Sequence, residues 1–438
     1  MDGGVEAVGI GRSGADDTAG IAPAASRPGV EVPLPREGVG SVQRRQHTLH
    51  RRAGLHARNR TRRQRFQTSE GILCAMNDRV ERLAGKLREN GVDALLAHAP
   101  LTMGYLAGFW EDAHERFLAL VVTKDAKVRL IAPSLSEAQA RRIGISDIVP
   151  FGDDGDPFGL LKTTCEAWGL KTLAVDDFTP AMHLLAMQQT LPDATFQRGG
   201  TLVVPLLREK GPDELALMRK TAKVADEAYR EVLPQIREGM TEREVAGMIS
   251  AAMESRGGKT TFTIVAAGAG GAEPHHLSDD TKLKRGDVVI IDFGCGIEEY
   301  QSDVTRTVAI GEASEEAKEA YRAVRRAHMA SREIARPGVT CGEVDAAARQ
   351  SLVTDGLAEW FIHRVGHGIG LDGQREPSVA PGSSLQLLNN ECFSVEPGVY
   401  LPGKFGIRIE TIVTVTDQGC ESLNEDPAEE IWVVGGGL

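Results

Sequence analysis

The sequence predicts an α/β domain followed by an α+β domain that repeats internally about a two-fold pseudo-symmetry. Three observations lead there. From residue 78 to about 206, helical periods alternate with short apolar runs. From Arg237 to Gly257 the chain reads REGMTEREVAGMISAAMESRG, and 99 residues later this aligns without a gap on RPGVTCGEVDAAARQSLVTDG, Arg336 to Gly356. Apolar strands follow each copy and carry two carboxylates each: Asp292 and Asp303 after the first, Glu396 and Glu410 after the second.

Length agrees with two domains, because 438 residues exceed the size at which one core keeps growing. No apolar run approaches the roughly 18 residues of a membrane span, so no membrane partner is expected. Net charge is −12, yet residues 1–75 hold 12 Arg, no Lys and 7 acids, so the remainder is strongly acidic and a poor nucleic-acid binder. The six cysteines lie far apart without CxxC spacing, which suggests neither a zinc knuckle nor a disulfide framework and fits a reducing cytoplasm.

Residues 1–75 are rich in Gly, Ala, Pro and Arg and show no helical or strand period. They read as a disordered or non-native leader, with the working chain starting near Met76. A basic tail and a cleaved transit peptide are competing readings; six acids before residue 40 weigh against targeting.

The α/β domain is expected over 76–206. Val80, Leu83, Ala84 and Leu87 share a helical face, Gly91 stops that helix, and VDALLA follows as a strand. FLALVVT, VRLIAP and TLAVDD continue the rhythm as far as GGTLVVPLL.

The second domain, 207–438, opens with a long amphipathic helix from Pro212. Each repeat copy places a Thr-x-x-Glu capping box, Thr241/Glu244 and Thr340/Glu343, at the head of a helix closed by Gly257 or Gly356. A strand is expected to begin at Phe262 and again at Phe361. Between two such halves a shared site is expected.

Carboxylates on buried strands cost several kcal/mol unless paired or bound to metal. Four of them facing one centre call for cations. FIHRVGHGIGLDGQREP, Phe361 to Pro377, supplies imidazoles: an extended segment would keep His363 and His367 on one face, one as ligand and one as neighbour. Carboxylates with one imidazole form a hard, oxygen-rich set suited to two divalent ions, Mn first, with Co, Fe or Zn as alternatives.

The motifs IDFG, SDVTRT, GHGIGL, VEPGVY and IRIE, in that order, resemble the pita-bread metallopeptidases, which include Xaa-Pro dipeptidase (prolidase), aminopeptidase P and methionine aminopeptidase. The α/β domain in front, opening RLAGKLRENGVDALLAHAPLTMGYLAGF, is similar to the creatinase/prolidase N-terminal type and favours the prolidase and aminopeptidase P branch. The resemblance implies a metal set of Asp292, Asp303, His367, Glu396 and Glu410, with Asp303 and Glu410 bridging. It implies a hydroxide shared by two metal ions that attacks the Xaa-Pro amide of dipeptides or short peptides, with Glu396 as proton shuttle. It further implies a substrate-side role for His275 in AEPHHLSD, with His276 a bystander, a pocket role for His363 toward the proline or product carboxylate, and an orienting role for Arg408. A homodimer is also implied, in which Gly108 to Phe117 could line the entrance.

One position departs from the pattern. Family peptidases usually read G-H-G-I-G-L-x-x-H-E-x-P, and here Gln374 stands for the later histidine and Arg375 for the glutamate. A glutamine amide donates a hydrogen bond but carries no proton. Three outcomes compete: a differently tuned Xaa-Pro peptidase; an intact metal centre turned to a creatine-, ectoine- or dimethylsulfoniopropionate-type small molecule; or a non-catalytic binding protein. The full metal-ligand set argues against the last.

Overall fold

The computed structural model describes residues 69–435 apart from residue 113, with side chains from Asp78 onward. Residues 1–68 of the expected leader lie outside the described residues. Its last positions begin helix α1, Ser69–Glu89.

Helix α1 buries Val80, Leu83, Ala84 and Leu87, the expected face, and Gly91 takes a φ of 65° just beyond its end. Strand β1 (Ala94–Ala97) follows, then α2 (Pro100–Ala107), β2 (Ala119–Thr123), β3 (Val128–Pro133), α3 (Glu137–Arg142) and β4 (Ile148–Phe151). The domain continues through α4 (Pro157–Trp168), β5 (Thr172–Val175), α5 (Ala181–Thr190), β6 (Thr195–Arg198) and α6 (Gly200–Arg208). One mixed sheet results, in the order β4-β3-β2-β1-β5-β6. β1 is central and apolar throughout because both its faces are covered: Leu95 and Ala97 join one core, Ala94 and Leu96 the other.

The first half of the second domain comprises α7 (Pro212–Val232), α8 (Glu242–Ser255), β7 (Lys259–Ala267), β8 (Val288–Ile297), β9 (Tyr300–Gln301) and β10 (Val304–Ile310). The second half comprises α9 (Glu315–Ile334), α10 (Cys341–Thr354), β11 (Gly366–Gly368), β12 (Arg375–Val379), β13 (Cys392–Val395), β14 (Gly398–Leu401), β15 (Phe405–Arg408), β16 (Thr411–Thr416) and β17 (Gly419–Ser422). A last strand, β18 (Trp432–Val434), returns to the first half and pairs parallel with β10. The sheets run β18-β10-β8-β7 and β12-β11-β13-β16-β17, with β14 and β15 as a separate ribbon.

Both capping boxes form. Thr241 Oγ1 accepts from Glu244 N at 3.1 Å and Glu244 Oε2 accepts from Thr241 N at 2.8 Å; Thr340 and Glu343 repeat this at 3.2 and 2.8 Å. The strands differ from expectation. Phe262 lies inside the nine-residue β7, whereas Phe361 to Val365 form no strand and only Gly366–Gly368 pair. His363 therefore sits in a bend before β11 and does not share a strand with His367. Side chains of α10 take over much of the backbone bonding: Arg349 donates to the carbonyls of Phe361 (2.9 Å) and His363 (2.5 Å), and Asp345 Oδ1 accepts from Val365 N at 3.0 Å, beside the bond from Val365 N to Val379 O at 2.9 Å.

Candidate metal centre

The strands of the two halves meet edge to edge. Glu410 N donates to Thr305 O at 3.1 Å, Arg306 Nη1 to Glu410 O at 2.6 Å, and Thr307 Oγ1 to Arg408 O at 2.8 Å. These bonds bring the Asp292 and Asp303 strands beside Glu396 and Glu410. His367 enters from β11, where close packing explains the glycines: a Cβ at Gly366 would lie 1.8 Å from Ser394 O, and one at Gly368 2.0 Å from Glu376 O. They permit strand contact rather than loosen the chain.

Ligand atoms of Asp303, His367 and Glu410 all lie within 4.8 Å of one another, and all three residues are buried. His367 Nε2 is 3.6 Å from Asp303 Oδ2 and 3.4 Å from Glu396 Oε1. His367 Nδ1 donates to Gly368 O at 3.3 Å, and burial holds this imidazole down at about 4, so it is neutral with its Nε2 lone pair toward the carboxylates. Ser394 Oγ accepts from His367 N at 3.0 Å and donates to Glu396 Oε1 at 3.2 Å, tying these two ligands together.

Burial, and then the charges of Glu410, Asp292 and Glu396, hold Asp303 well above the ordinary carboxylate range. Burial followed by Glu396 and Asp292 does the same to Glu410, and burial raises Glu396 to about 7. Asp292 Oδ1 and Glu410 Oε1 are buried acceptors without a hydrogen-bond partner. Lone pairs facing lone pairs repel, and orphaned buried acceptors cost about 1–3 kcal/mol each. Divalent cations among these atoms would convert both costs into ligation, so the donor set fits a metal.

Around this centre runs a hydrogen-bonded chain. Arg408 Nη2 donates to Asp292 Oδ2 (2.5 Å), Nε to Thr305 Oγ1 (3.2 Å) and Nη1 to Tyr400 Oη (2.9 Å). Thr305 Oγ1 donates to Glu410 Oε2 at 2.7 Å. Tyr400 lies 2.9 Å from His363 Nε2, and His363 Nδ1 donates to Arg364 O at 2.7 Å. Thr305, Ser394 and Tyr400 were not singled out in the sequence. Each lies two to four residues from a candidate ligand, on strands whose order in the sheet is what aims them.

Not every candidate enters the cluster. His275 is exposed in a turn, while its neighbour His276 is partnered by the fully buried Glu242 at 2.7 Å. Glu242 also accepts from Ala267 N (2.8 Å) and Asp279 N (3.1 Å), so the Glu242, His276 and Asp279 group is satisfied within itself. Gln374 is exposed, with only its backbone N bonded, to Asp372 Oδ1 at 3.4 Å. Arg375 pairs with Asp372 at 2.8 Å and lies 5.3 Å from the centre of the Phe178 ring on the α/β domain.

Comparison with known proteins identifies the family. Residues 216–417 match the model of metallopeptidase family M24, and residues 79–209 that of the creatinase/prolidase N-terminal domain. A probable dipeptidase PepE from Mycobacterium tuberculosis is 38% identical over 356 residues, which cover 78% of this chain and 93% of the relative. The chain belongs to metallopeptidase family M24. Within the family, a Xaa-Pro dipeptidase of Lactobacillus delbrueckii subsp. lactis is 34% identical, with 80% of this chain and 97% of the relative covered. The crystal structure of dipeptidase PepE from Mycobacterium ulcerans superposes with a TM-score of 0.78 at 35% identity, covering 82% of this chain and 98% of that one. An X-Pro aminopeptidase of Thermotoga maritima gives 0.73 at 33%, covering 81% and 99%. The pita-bread fold and the α/β domain before it are those of this M24 group.

Proposed function

We propose that this M24 protein hydrolyses the Xaa-Pro amide bond of dipeptides or short peptides. The observation that carries the reading is the convergence of a neutral His367, its Nε2 toward the cluster, with buried, mutually repelling carboxylates, in a chain whose relatives are named dipeptidases. Asp292, Asp303, His367, Glu396 and Glu410 would hold two divalent ions, which supply carbonyl polarisation and a nucleophile at neutral pH. Their oxygen-rich chemistry favours Mn over Co, Fe or Zn.

Glu396, whose Oε1 accepts from Ser394 Oγ, takes the role of proton shuttle. Arg408 fixes Asp292 and, through Thr305, Glu410. His275 and His363 belong to the substrate side. Gln374, which is exposed, offers at most a neutral amide donor. The relatives found give no support to a creatine-, ectoine- or dimethylsulfoniopropionate-type substrate.

Two further readings go with this one. The second copy of a homodimer finds a ready face in the exposed Phe178, Met182 and Leu185, spaced along the start and one side of α5. Among the described residues the cysteines are free and no helix is long and apolar enough to cross a membrane, which supports a cytoplasmic setting.

The test is hydrolysis of a Xaa-Pro series of increasing length by Mn-loaded protein, with metal content measured in the same sample. Release of the Xaa residue is expected, raised by Gln374→His. Fully loaded protein that cleaves no Xaa-Pro bond would refute the proposal.

A further inference from the structure

A buried ammonium is costly unless its charge is answered, and Lys210, on the link between α6 and α7, is 6% exposed with no ion pair among the described residues. Its Nζ has three hydrogens to place, and the one bond it makes among the described residues goes to Arg208 O at 3.3 Å. The acids around it are committed elsewhere. Glu391 is taken by Arg208, whose Nη2 lies 2.9 Å from Oε2; Glu214 is taken by Arg79 at 3.1 Å and by Tyr300 Oη at 2.5 Å. Asp372 is taken by Arg375 at 2.8 Å. Burial pushes the nearby Cys392 thiol up, so it stays neutral.

Lys210 lines a cavity of about 20 Å³ where α6, β9 and the chain after β11 meet. Leu207, Tyr300 and Leu371 supply apolar walls, and Gly370 keeps the space beside the lysine open: a Cβ there would lie 3.0 Å from Lys210 Cε and 3.4 Å from Nζ. Glu376, the remaining acid of the lining, is exposed and acts on Arg198. The volume admits one water or one ion of similar size. Water would leave the ammonium uncompensated, and an oxyanion such as phosphate is too large. A monatomic anion meets both requirements.

We infer that this cavity is a halide site, in which Lys210 holds a chloride ion between the α/β domain and the chain that continues from His367. The inference goes beyond the proposed hydrolysis and does not depend on it. Gly368, the first cavity residue after β11 begins, follows His367 directly, so the anion bears on the segment behind the imidazole.

The test uses the full chain. Crystals grown without chloride and soaked in sodium bromide should give an anomalous bromine peak in contact with Lys210 Nζ, and Lys210→Met, which keeps the side chain's length without its charge, should lose that peak. In solution, replacing gluconate by chloride at constant ionic strength should raise the thermal midpoint of wild type saturably, by about 2–4 °C, and leave that of Lys210→Met unmoved. A wild-type cavity without bromide overturns the inference, as does a peak that persists in Lys210→Met or an equal chloride response in the two proteins. If Lys210→Met does not fold, the wild-type bromide map decides alone.

Discussion

The two halves of the catalytic domain share a capped helix and part company in the chain that follows it. After α8 the backbone enters a nine-residue strand; after α10 it passes through five residues that belong to no strand before the three of β11. The gapless alignment of the copies locates the cause: Asp345 and Arg349 stand where the first copy has Ala246 and Ser250. In the second half this ion pair bonds the carbonyls of Phe361 and His363 and the N–H of Val365, and the Arg349 guanidinium covers the Phe361 ring at 4.3 Å. In the first half Ser250 makes only a hydroxyl contact with Thr263, at 2.9 Å, and the ladder does the rest. Outside a regular strand, His363 turns to Tyr400, 2.9 Å away, which Arg408 also holds. A symmetric fold acquires an asymmetric site through two helix side chains.

The proposed metal ligands include two carboxylates from each half, the point at which the halves remain equivalent, and removing one should have the largest effect. Asp303→Ala is expected to lower hydrolysis by at least about 10³-fold and to reduce bound metal in the same preparation. Wild-type turnover by this variant would refute the ligand assignment.

Next in size is the ion pair that separates the halves. Arg349→Ser gives the second copy the first copy's residue but leaves Asp345, 1% exposed, without its partner. A loss of about 3 kcal/mol is expected in chemical denaturation. The double variant Asp345→Ala/Arg349→Ser removes the stranded charge and should recover part of that loss. Equal stability of the single and double variants would mean that the pair does not act as a unit.

Much of this was open to inspection in the sequence, and the omissions have physical reasons. Capping boxes and the repeat are local patterns, and Thr241, Thr340 and the glycines near them behave as local rules require. The carboxylates drew notice because acids on apolar strands are expensive. Arg349 and Asp345, by contrast, are spaced i,i+4 on a helix, a pattern that ordinarily describes an exposed pair of small worth. Only the fold shows that this one is turned inward. The reason for Gly366 and Gly368 lies in a tertiary contact, the approach of Ser394 O and Glu376 O, that leaves no room for a Cβ. The roles of Tyr400 and Thr305 depend on which strand lies next to which, and no spacing encodes that.

A smaller effect should appear on the acid side. His363 has no counterpart in the first half's strand, and burial lowers its folded-state pKa from 6.5 to about 4. The unfolded chain thus binds a proton that the folded chain refuses, so the stabilisation is present above pH 6.5 and is lost as pH falls toward 4. The loss amounts to about 2–3 kcal/mol across that window. His363→Gln should flatten the corresponding part of the stability-against-pH curve, measured by denaturant midpoints. Parallel curves for the two proteins would show that the imidazole is not held neutral.

The smallest expected effect tests what the halves keep in common. Thr241 and Thr340 cap α8 and α10 with bonds that agree within 0.1 Å, and each is closed by a reciprocal glutamate. Thr241→Ala and Thr340→Ala should therefore each cost about 1 kcal/mol in thermal or chemical unfolding. Equality is the informative part, because the helices are followed by such different chain. If Thr340→Ala proves clearly the more damaging, its helix does more than begin a repeat: it anchors the Asp345 and Arg349 side chains that stand in for a strand. In that case KM for the dipeptide should rise in Thr340→Ala and not in Thr241→Ala, since only the former would disturb the residues beside the metal centre.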